Sequence, residues 1–460
     1  MRDMNSSEGG LAGTNRRDFL KGGSFATLMA MMGGVELIAG ESPAEPKPGT
    51  NLELPKTKTA VIGFGPWGRE ILDHLFVLEQ AEVVAICDNY PAMLRRAASK
   101  APHVQQVADY QAILDNKDIQ SVIIATPTHT HKDIAIAALK AGKHVYCEAP
   151  LAGTVEDTRA IAVAAKEAVG QVFQPGLQDR ADPQRHFLLP FIHSGALGKS
   201  IFARSQWHRK TSWRQTSPNA EREQAINWRL NKATSLGLAG EIGIHQLDQA
   251  GWFLNAKPVA IHGFGSIAFW RDDGREVADT VQIIVEYPRG VRLISDLTLA
   301  NSFDADYEMY YGSDAAVMMR ESKAWMFKEV DSPLLGWEVY ARKDSFYKET
   351  GIALVAGGSK QDILAAKATD AVAKPIPPIY HALNAFVGNA AEVTNSVAAY
   401  KESFASVGKK EVAEYLATLK LVPAAGIQDG YNATVLAIKA NEAVVNGGRV
   451  ELKKEWFELA

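Results

Sequence analysis

Short, unbroken apolar runs alternate with segments of helical spacing over residues 57–175. Thr59-Ala60-Val61-Ile62, Glu82 to Cys87, Ser121 to Ala125 and His144 to Cys147 read as strands. Arg69 to Glu79 and Lys132 to Ala141 read as the helices between them. Strands without polar alternation are buried on both faces, and their alternation with helices predicts an α/β fold with a doubly wound parallel sheet. Further on the pattern changes. Thr280 to Tyr287 and Val291 to Leu299 are β-rich but only partly alternating, and Ile379 to about Gly447 is mostly helical by spacing. Between them, Gly357-Gly358-Ser359 and Lys374-Pro375-Ile376-Pro377-Pro378 read as loop and linker around an Ala-rich stretch, and no internal repeat is present.

Composition narrows the function classes. The chain has 460 residues, 47% of them apolar and 22% charged, which is a folded rather than a fibrous or disordered composition. Lys plus Arg is 49 against 53 Asp plus Glu, a net charge of −4. There is no basic surplus for a phosphate backbone, which argues against a nucleic-acid partner. Two cysteines, Cys87 and Cys147, cannot build a disulfide framework. The histidines are scattered and no Cys/His pair has ligand spacing, so no metal site is expected.

At the N-terminus, Asn15-Arg16-Arg17-Asp18-Phe19-Leu20-Lys21 precedes a Gly/Ala/Met/Leu stretch from Gly22 to Gly40. Paired arginines ahead of a mildly apolar, Gly-rich region resemble a twin-arginine export signal. The resemblance implies that the twin-arginine machinery moves the folded protein to the periplasm or another extracytoplasmic space. A nicotinamide cofactor used there would be carried out and kept. An ordinary amphipathic helix is the alternative.

Gly63-Phe64-Gly65-Pro66-Trp67-Gly68 follows the first strand and opens the first helix, and Asp88 ends the second strand twenty residues after Gly68. A G-x-G-x-x-G turn in that setting fits a dinucleotide. Gly63 permits the tight turn, Gly65 lets backbone approach the pyrophosphate, and Gly68 lets helix pack on strand. The pyrophosphate would lie at the helix N-terminus, and Asp88 would accept from the ribose hydroxyls and repel a 2′-phosphate, favouring NAD over NADP. The alternative for Asp88 is a capping role. Ligands of such sheets lie beyond the strand ends, where Asp88, Thr126, Pro127 and Glu148 fall.

Taken in order, several motifs are similar to those of the glucose–fructose oxidoreductase / inositol dehydrogenase / rhizopine-catabolism (Gfo/Idh/MocA) family. They are the Gly63–Gly68 turn, Ala125-Thr126-Pro127 with His131, and Gly142-Lys143-His144-Val145 with Glu148 and Pro150. Downstream come Gln178-Asp179-Arg180, Ile192 to Gly198, Trp228-Arg229, and Gly240 to Asp248. The resemblance covers about 57–320 and implies a second, α+β domain with a mainly antiparallel open sheet that carries the substrate. It divides the chain into a signal at 1–44, a linker at 45–56, an NAD-binding Rossmann domain at 57–175, a substrate domain at 176–375 and a C-terminal segment at 376–460. That last segment is expected to be helical and to pack back on the core. Gly63, Phe64, Gly65, Trp67, Gly68, Asp88, Thr126, Pro127, His131 and Glu148 are the expected cofactor residues.

Glu241 and His245 are four residues apart, so on one helix they would share a face, with the carboxylate orienting the imidazole. The resemblance makes His245 the acid or base and Glu241 its partner or a substrate contact, where the family usually has Asp. Arg180, Trp228 and Arg229 are the expected substrate residues, since aromatic faces stack on sugar rings and guanidiniums bond hydroxyls. One departure stands out. The family's strand-end Glu-Lys-Pro is Glu148-Ala149-Pro150 here, and Ala149 can neither donate nor carry charge. Three readings follow. The first is an oxidoreductase of a sugar or polyol CH–OH group that holds NAD tightly. The second is a redox-neutral glycoside-cleaving enzyme using the same cofactor, and the third a non-catalytic sugar-binding protein. The resemblance also implies a homo-oligomer.

Overall fold

The computed structural model describes residues 56–459, apart from 322, 335–342, 347–348, 355–375 and 405, with the backbone alone given for 343–346 and 349–354. The export signal at 1–44, the linker except Lys56, and the loops at 357–359 and 374–375 lie outside the described residues.

Six strands form the first sheet: β1 (Thr57–Ile62), β2 (Ala81–Cys87), β3 (Gln105–Val107), β4 (Ser121–Ile124), β5 (His144–Cys147) and β6 (Phe173–Pro175). All pairs are parallel, in the order β3-β2-β1-β4-β5-β6. Between the strands run α1 (Pro66–Leu75), α2 (Pro91–Lys100), α3 (Tyr110–Asp115), α4 (His131–Lys140) and α5 (Val155–Glu167). Every residue of β4 and β5 is buried, as their unbroken apolar runs require. Helix α1 begins at Pro66, earlier than its spacing suggests, because proline at the first position lacks only an N–H that would be orphaned anyway. It ends at Leu75, where Val77 and Leu78 turn back onto the last carbonyls.

The second sheet has ten strands. They are β7 (Ser200–His208), β8 (Ala260–Ser266), β9 (Thr280–Glu286), β10 (Arg292–Thr298), β11 (Asp306–Gly312), β12 (Ala315–Arg320), β13 (Lys323–Lys328), β14 (Lys343–Phe346), β15 (Glu349–Leu354) and β16 (Arg449–Glu451). The order is β14-β15-β13-β12-β11-β7-β10-β9-β8-β16, and every pair is antiparallel except β7 with β10. Helices α6 (Pro183–Phe191), α7 (Ala220–Ile226), α8 (Gly237–Glu241) and α9 (Gly243–Leu254) precede or follow its first strand. Leu247, Ala250 and Phe253 of α9 join Val281, Ile283, Leu293, Leu297 and Tyr310 in one core. The α/β fold, a parallel sheet followed by a mainly antiparallel one, is the one the sequence predicts.

The C-terminal segment forms α10 (Pro378–Ser403), α11 (Lys409–Leu416) and α12 (Ile427–Asn446), then ends as strand β16 on β8, an edge pairing its helical spacing does not announce. Thr57 Oγ1 donates to the Val387 carbonyl of α10 at 3.1 Å, and Thr434 of α12 accepts from Leu151 N–H at 3.1 Å. Helix α12 also packs on β8, so it is wedged between the two sheets and holds their relative position.

Candidate active site

A cleft of about 1520 Å³ opens beyond the carboxyl ends of the first sheet and is walled on its other side by the second domain. The β1–α1 turn forms its nucleotide end. Gly63 has φ +99°, and a Cβ there would lie 2.5 Å from the Ala125 carbonyl oxygen. A Cβ on Gly68 would lie 2.0 Å from the Gly63 carbonyl oxygen, so helix and strand touch as the motif requires. At Gly65 a Cβ meets nothing within 4 Å. No protein atom needs that glycine; the open space in front of it is the space a ligand's phosphates need.

Asp88 lies on the cleft wall and also braces the turn, accepting from Phe64 N–H at 2.9 Å and Tyr90 N–H at 2.8 Å. Both expected roles are thus compatible, because a carboxylate has lone pairs left for ribose hydroxyls. Phe64 and Gly68 are different. The Phe64 side chain is fully buried in the core and neither residue lines the cleft. They shape the nucleotide site from behind.

Gly63, Gly65, Trp67, Thr126, Pro127, His131 and Glu148 do line it. The His131 ring nitrogens face the carbonyls of Thr126 at 2.8 Å and Pro150 at 3.0 Å, so this buried imidazole pins two strand-end loops together. Glu148 Oε1 is out of solvent with no hydrogen-bond partner. Burial pushes this carboxyl up to about 7, against the opposing pull of Trp67, the Ala149 backbone and Arg229. The Ala149–Pro150 bond is cis.

His245 also lines the cleft, from the first turn of α9, and its ring makes no hydrogen bond among the described residues. Burial lowers its pKa and Asp179 opposes that shift. The expected pairing with Glu241 does not form. Helical hydrogen bonding is interrupted between α8 and α9 at Ile242, which caps both helices, so the two residues sit on separate helices. Glu241 is buried, accepting from Thr128 Oγ1 at 2.9 Å and Leu236 N–H at 3.0 Å. It latches the second domain to the loop after β4. The carboxylate that acts on His245 is Asp179.

Arg180 is likewise taken. It clasps Asp248 through Nε at 2.8 Å and Nη2 at 2.9 Å, reaches Asp429 with Nη1 at 2.9 Å, and packs over Trp252. It does not line the cleft, whereas its neighbour Asp179 does. Trp228 and Arg229 do line it, with the guanidinium 5.0 Å from the Trp228 ring centre and His129 against the same indole.

Several contributors were not singled out from the sequence. Arg185 is buried, its Nη2 donating to Glu308 at 3.3 Å, and burial pushes the Glu308 carboxyl up to about 7. A strap through residues 214–227 crosses the nucleotide end, and Arg222 of α7 lies 4.1 Å from the Tyr90 ring centre. The charged residues of the strap and of α6 carry no local motif; only the sheet that brings β11 beside β7 places them here. Among the described residues no group of His, Cys, Asp and Glu is arranged to hold a metal ion.

Residues 57–176 match the sequence model described as "Oxidoreductase family, NAD-binding Rossmann fold", and residues 190–316 match that of the GFO/IDH/MocA C-terminal domain. Together these stretches make up more than half of the chain. The chain belongs to the Gfo/Idh/MocA oxidoreductase family.

Among its Gfo/Idh/MocA relatives, levoglucosan dehydrogenase of Pseudarthrobacter phenanthrenivorans is 33% identical over 36% of this chain and 40% of that protein. Inositol 2-dehydrogenase of Salmonella paratyphi B is 30% identical over 43% of this chain and 54% of that protein. A glycosyl hydrolase family 109 protein of Shewanella sp. is 33% identical over 32% of this chain and 36% of that one. The chain thus spans about half or less of the length of these relatives. An inositol dehydrogenase homologue of Azotobacter vinelandii, solved with NADH and myo-inositol, shares the fold at TM-score 0.63 and 18% identity, over 86% of this chain and 98% of that one. The cofactor of the Gfo/Idh/MocA nucleotide domain is NAD, and the residues here fit it. Gly65 leaves room, the N-terminus of α1 faces that room, and Asp88 stands on the cleft wall at the end of β2.

Proposed function

We propose that this Gfo/Idh/MocA member is an NAD-dependent dehydrogenase of a carbohydrate or polyol CH–OH group, exported folded with its cofactor held in place. The observation that carries the reading is His245, an imidazole with free ring nitrogens at the cleft surface beside Asp179. Burial keeps it neutral at working pH, and a neutral imidazole can take a hydroxyl proton. When bound, the nicotinamide supplies the acceptor for the carbinol hydrogen and its electron pair. The protein must take the proton, and the cleft-lining His245 is the group assigned to it. Trp228 and Arg229 offer a ring face and donors for the sugar.

Retention of the cofactor is supported by the strap. Asn227 and Gln215 exchange hydrogen bonds at 2.8 and 3.1 Å, Arg214 pairs with Glu223, and Arg222 closes on Tyr90 next to Asp88. The twin-arginine pattern supports export. The outer face of the second sheet, where Phe202 and Tyr311 stack at 4.1 Å, is the surface through which a homo-oligomer would form.

The test is the nucleotide content of protein purified without added cofactor, together with His245→Ala. Near-stoichiometric NAD is expected, and the variant should keep it while losing about 100- to 10,000-fold in kcat. An empty site that NAD cannot fill sinks the reading. A second reading has its own observation. Glu148 and Glu308, both held at about 7, are two carboxyls able to exchange protons in one cleft. Elimination from an oxidised sugar ring needs such groups, and aglycone release without net NADH would select that redox-neutral route.

A further inference from the structure

The strand end that meets the reaction space carries no cation. Ala149 offers the cleft a methyl group between Glu148 and Pro150. Across the cleft stands Arg229, in a single turn of 3₁₀ helix at Trp228–Leu230. Its guanidinium is bracketed by two indoles, 5.0 Å from the Trp228 ring centre and 5.7 Å from that of Trp213. Trp213 holds its place at a φ of +62°, a left-handed conformation that a bulky residue keeps only where neighbours impose it. The neighbours are identifiable. Arg275 donates to the Ser212 carbonyl, and Arg214 donates to the Asp273 carbonyl at 2.7 Å. Strain is spent here on positioning an aromatic face against a cation.

That cation has no direct partner of opposite charge among the described residues; Glu148 and Glu241 act on it only from beyond ion-pair distance. Arg229 Nε is out of solvent without a hydrogen-bond acceptor, and no carboxylate among the described residues pairs with the guanidinium. A partly desolvated, immobilised guanidinium with no direct counter-ion is a costly arrangement, and a negatively charged oxygen arriving in the cleft relieves it.

We propose that Arg229 is a catalytic residue of this enzyme, its guanidinium donating to the reacting oxygen of the substrate and stabilising the alkoxide that forms as His245 takes the proton. The proposal rests on the dehydrogenase reading. In that reaction the O–H proton passes to His245, the C–H hydrogen leaves with its electron pair to NAD+, and the C–O bond becomes C=O. The alcohol is oxidised, NAD+ is reduced, and Arg229 gives up no proton, because a guanidinium stays charged at every working pH. Its field already reaches both sides of the reaction space, holding down the carboxyls of Glu148 and Glu241 against burial.

The experiment compares Arg229→Gln and Arg229→Lys with the unaltered chain, using levoglucosan and myo-inositol as probes. Removing the charge should lower kcat about 100-fold and move the activity limb to higher pH, while Arg229→Lys recovers at least about a tenth of the rate. A second readout needs no turnover. A fixed cation beside the ring disfavours oxidised, positively charged nicotinamide, so Arg229→Gln should lower the ratio of NAD+ to NADH dissociation constants about threefold or more. An unchanged ratio, or a kcat within about twofold in variants that melt normally, overturns the assignment. If the unaltered chain oxidises neither probe, the dehydrogenase reading fails on these sugars, and the cofactor ratio by itself decides where Arg229 stands.

Discussion

On the nucleotide side of the cleft the site is made by backbone: strand ends, a glycine turn, and the N–H groups that Asp88 gathers from Phe64 and Tyr90. On the facing side, under the second domain, it is made by side chains from four separate places, with Asp179 after β6, Arg185 on α6, Arg229 after α7 and His245 on α9. The first construction is local, since one strand, turn and helix contain it. The second exists only once β7, β11 and α9 have packed. The difference teaches that the two halves fail in different ways. A lesion on the nucleotide side removes space or a turn geometry, and a lesion on the facing side removes a charge from a network.

The strongest attempt to break this comparison is steric. Gly68→Ala puts a Cβ 2.0 Å from the Gly63 carbonyl, backbone against backbone, and the nucleotide half should lose its cooperative melting transition. Gly65→Ala meets nothing within 4 Å, so its melting temperature should stay within about 2 °C. Its NAD affinity should nonetheless fall roughly tenfold or more, because the methyl occupies the ligand's space. Equal melting of the two variants would contradict the division between shaping and binding glycines.

Next in size is a contrast between neighbours. Arg180→Ala leaves Asp248 and Asp429 without their cation and should cost roughly 3–5 kcal/mol of stability by denaturant titration, with little change in KM. Asp179→Asn should cost little stability and act on the chemistry. Asp179 raises the His245 pKa, so removing its charge lowers that pKa, and the acid limb of kcat/KM should move to lower pH. A KM effect from Arg180→Ala, or an unmoved limb in Asp179→Asn, would exchange the two roles.

The smallest effect is in pH and stability, and the two halves should show opposite signs. His144, in the first sheet, accepts from Val172 N–H at 2.9 Å through Nδ1 and lies 2.9 Å from Thr394 through Nε2. Burial lowers its pKa from 6.5 to about 4. The unfolded chain therefore binds its proton first, and that stability, about 3 kcal/mol at most, is full above pH 6.5 and lost as pH falls through 4. Glu308, on β11 of the second sheet, is raised from 4.5 to about 7, so its contribution is full below pH 4.5 and lost as pH rises through 7. His144→Gln should flatten the acid side of the cofactor-free stability profile and Glu308→Gln the neutral side. The same side flattening for both would remove the distinction.

The parallel sheet, the glycine turn and the strand-end residues Asp88, Thr126, Pro127 and Glu148 were legible in the sequence. Runs of buried residues, turn glycines and short spacings are local properties, fixed within one β-α-β stretch. Family motifs also drew attention to Trp228, Arg229 and His245. Three things were decided by tertiary packing alone. Spacing put Glu241 and His245 on one face, but a break at Ile242 turned Glu241 toward Thr128 and left Asp179 to act on the imidazole. Adjacent Asp179 and Arg180 look alike as candidates, and only the position of Asp248 and Asp429 decides which one is consumed in the scaffold. The C-terminal tail, helical by pattern, ends as an edge strand because β8 offers it an unpaired row of backbone groups. The sequence by itself determined where the chain turns and which faces it must bury, because those depend on neighbours a few residues away. Which charges meet across the cleft depends on segments up to hundreds of residues apart, and the strength of such a pairing is set by burial that no local pattern records.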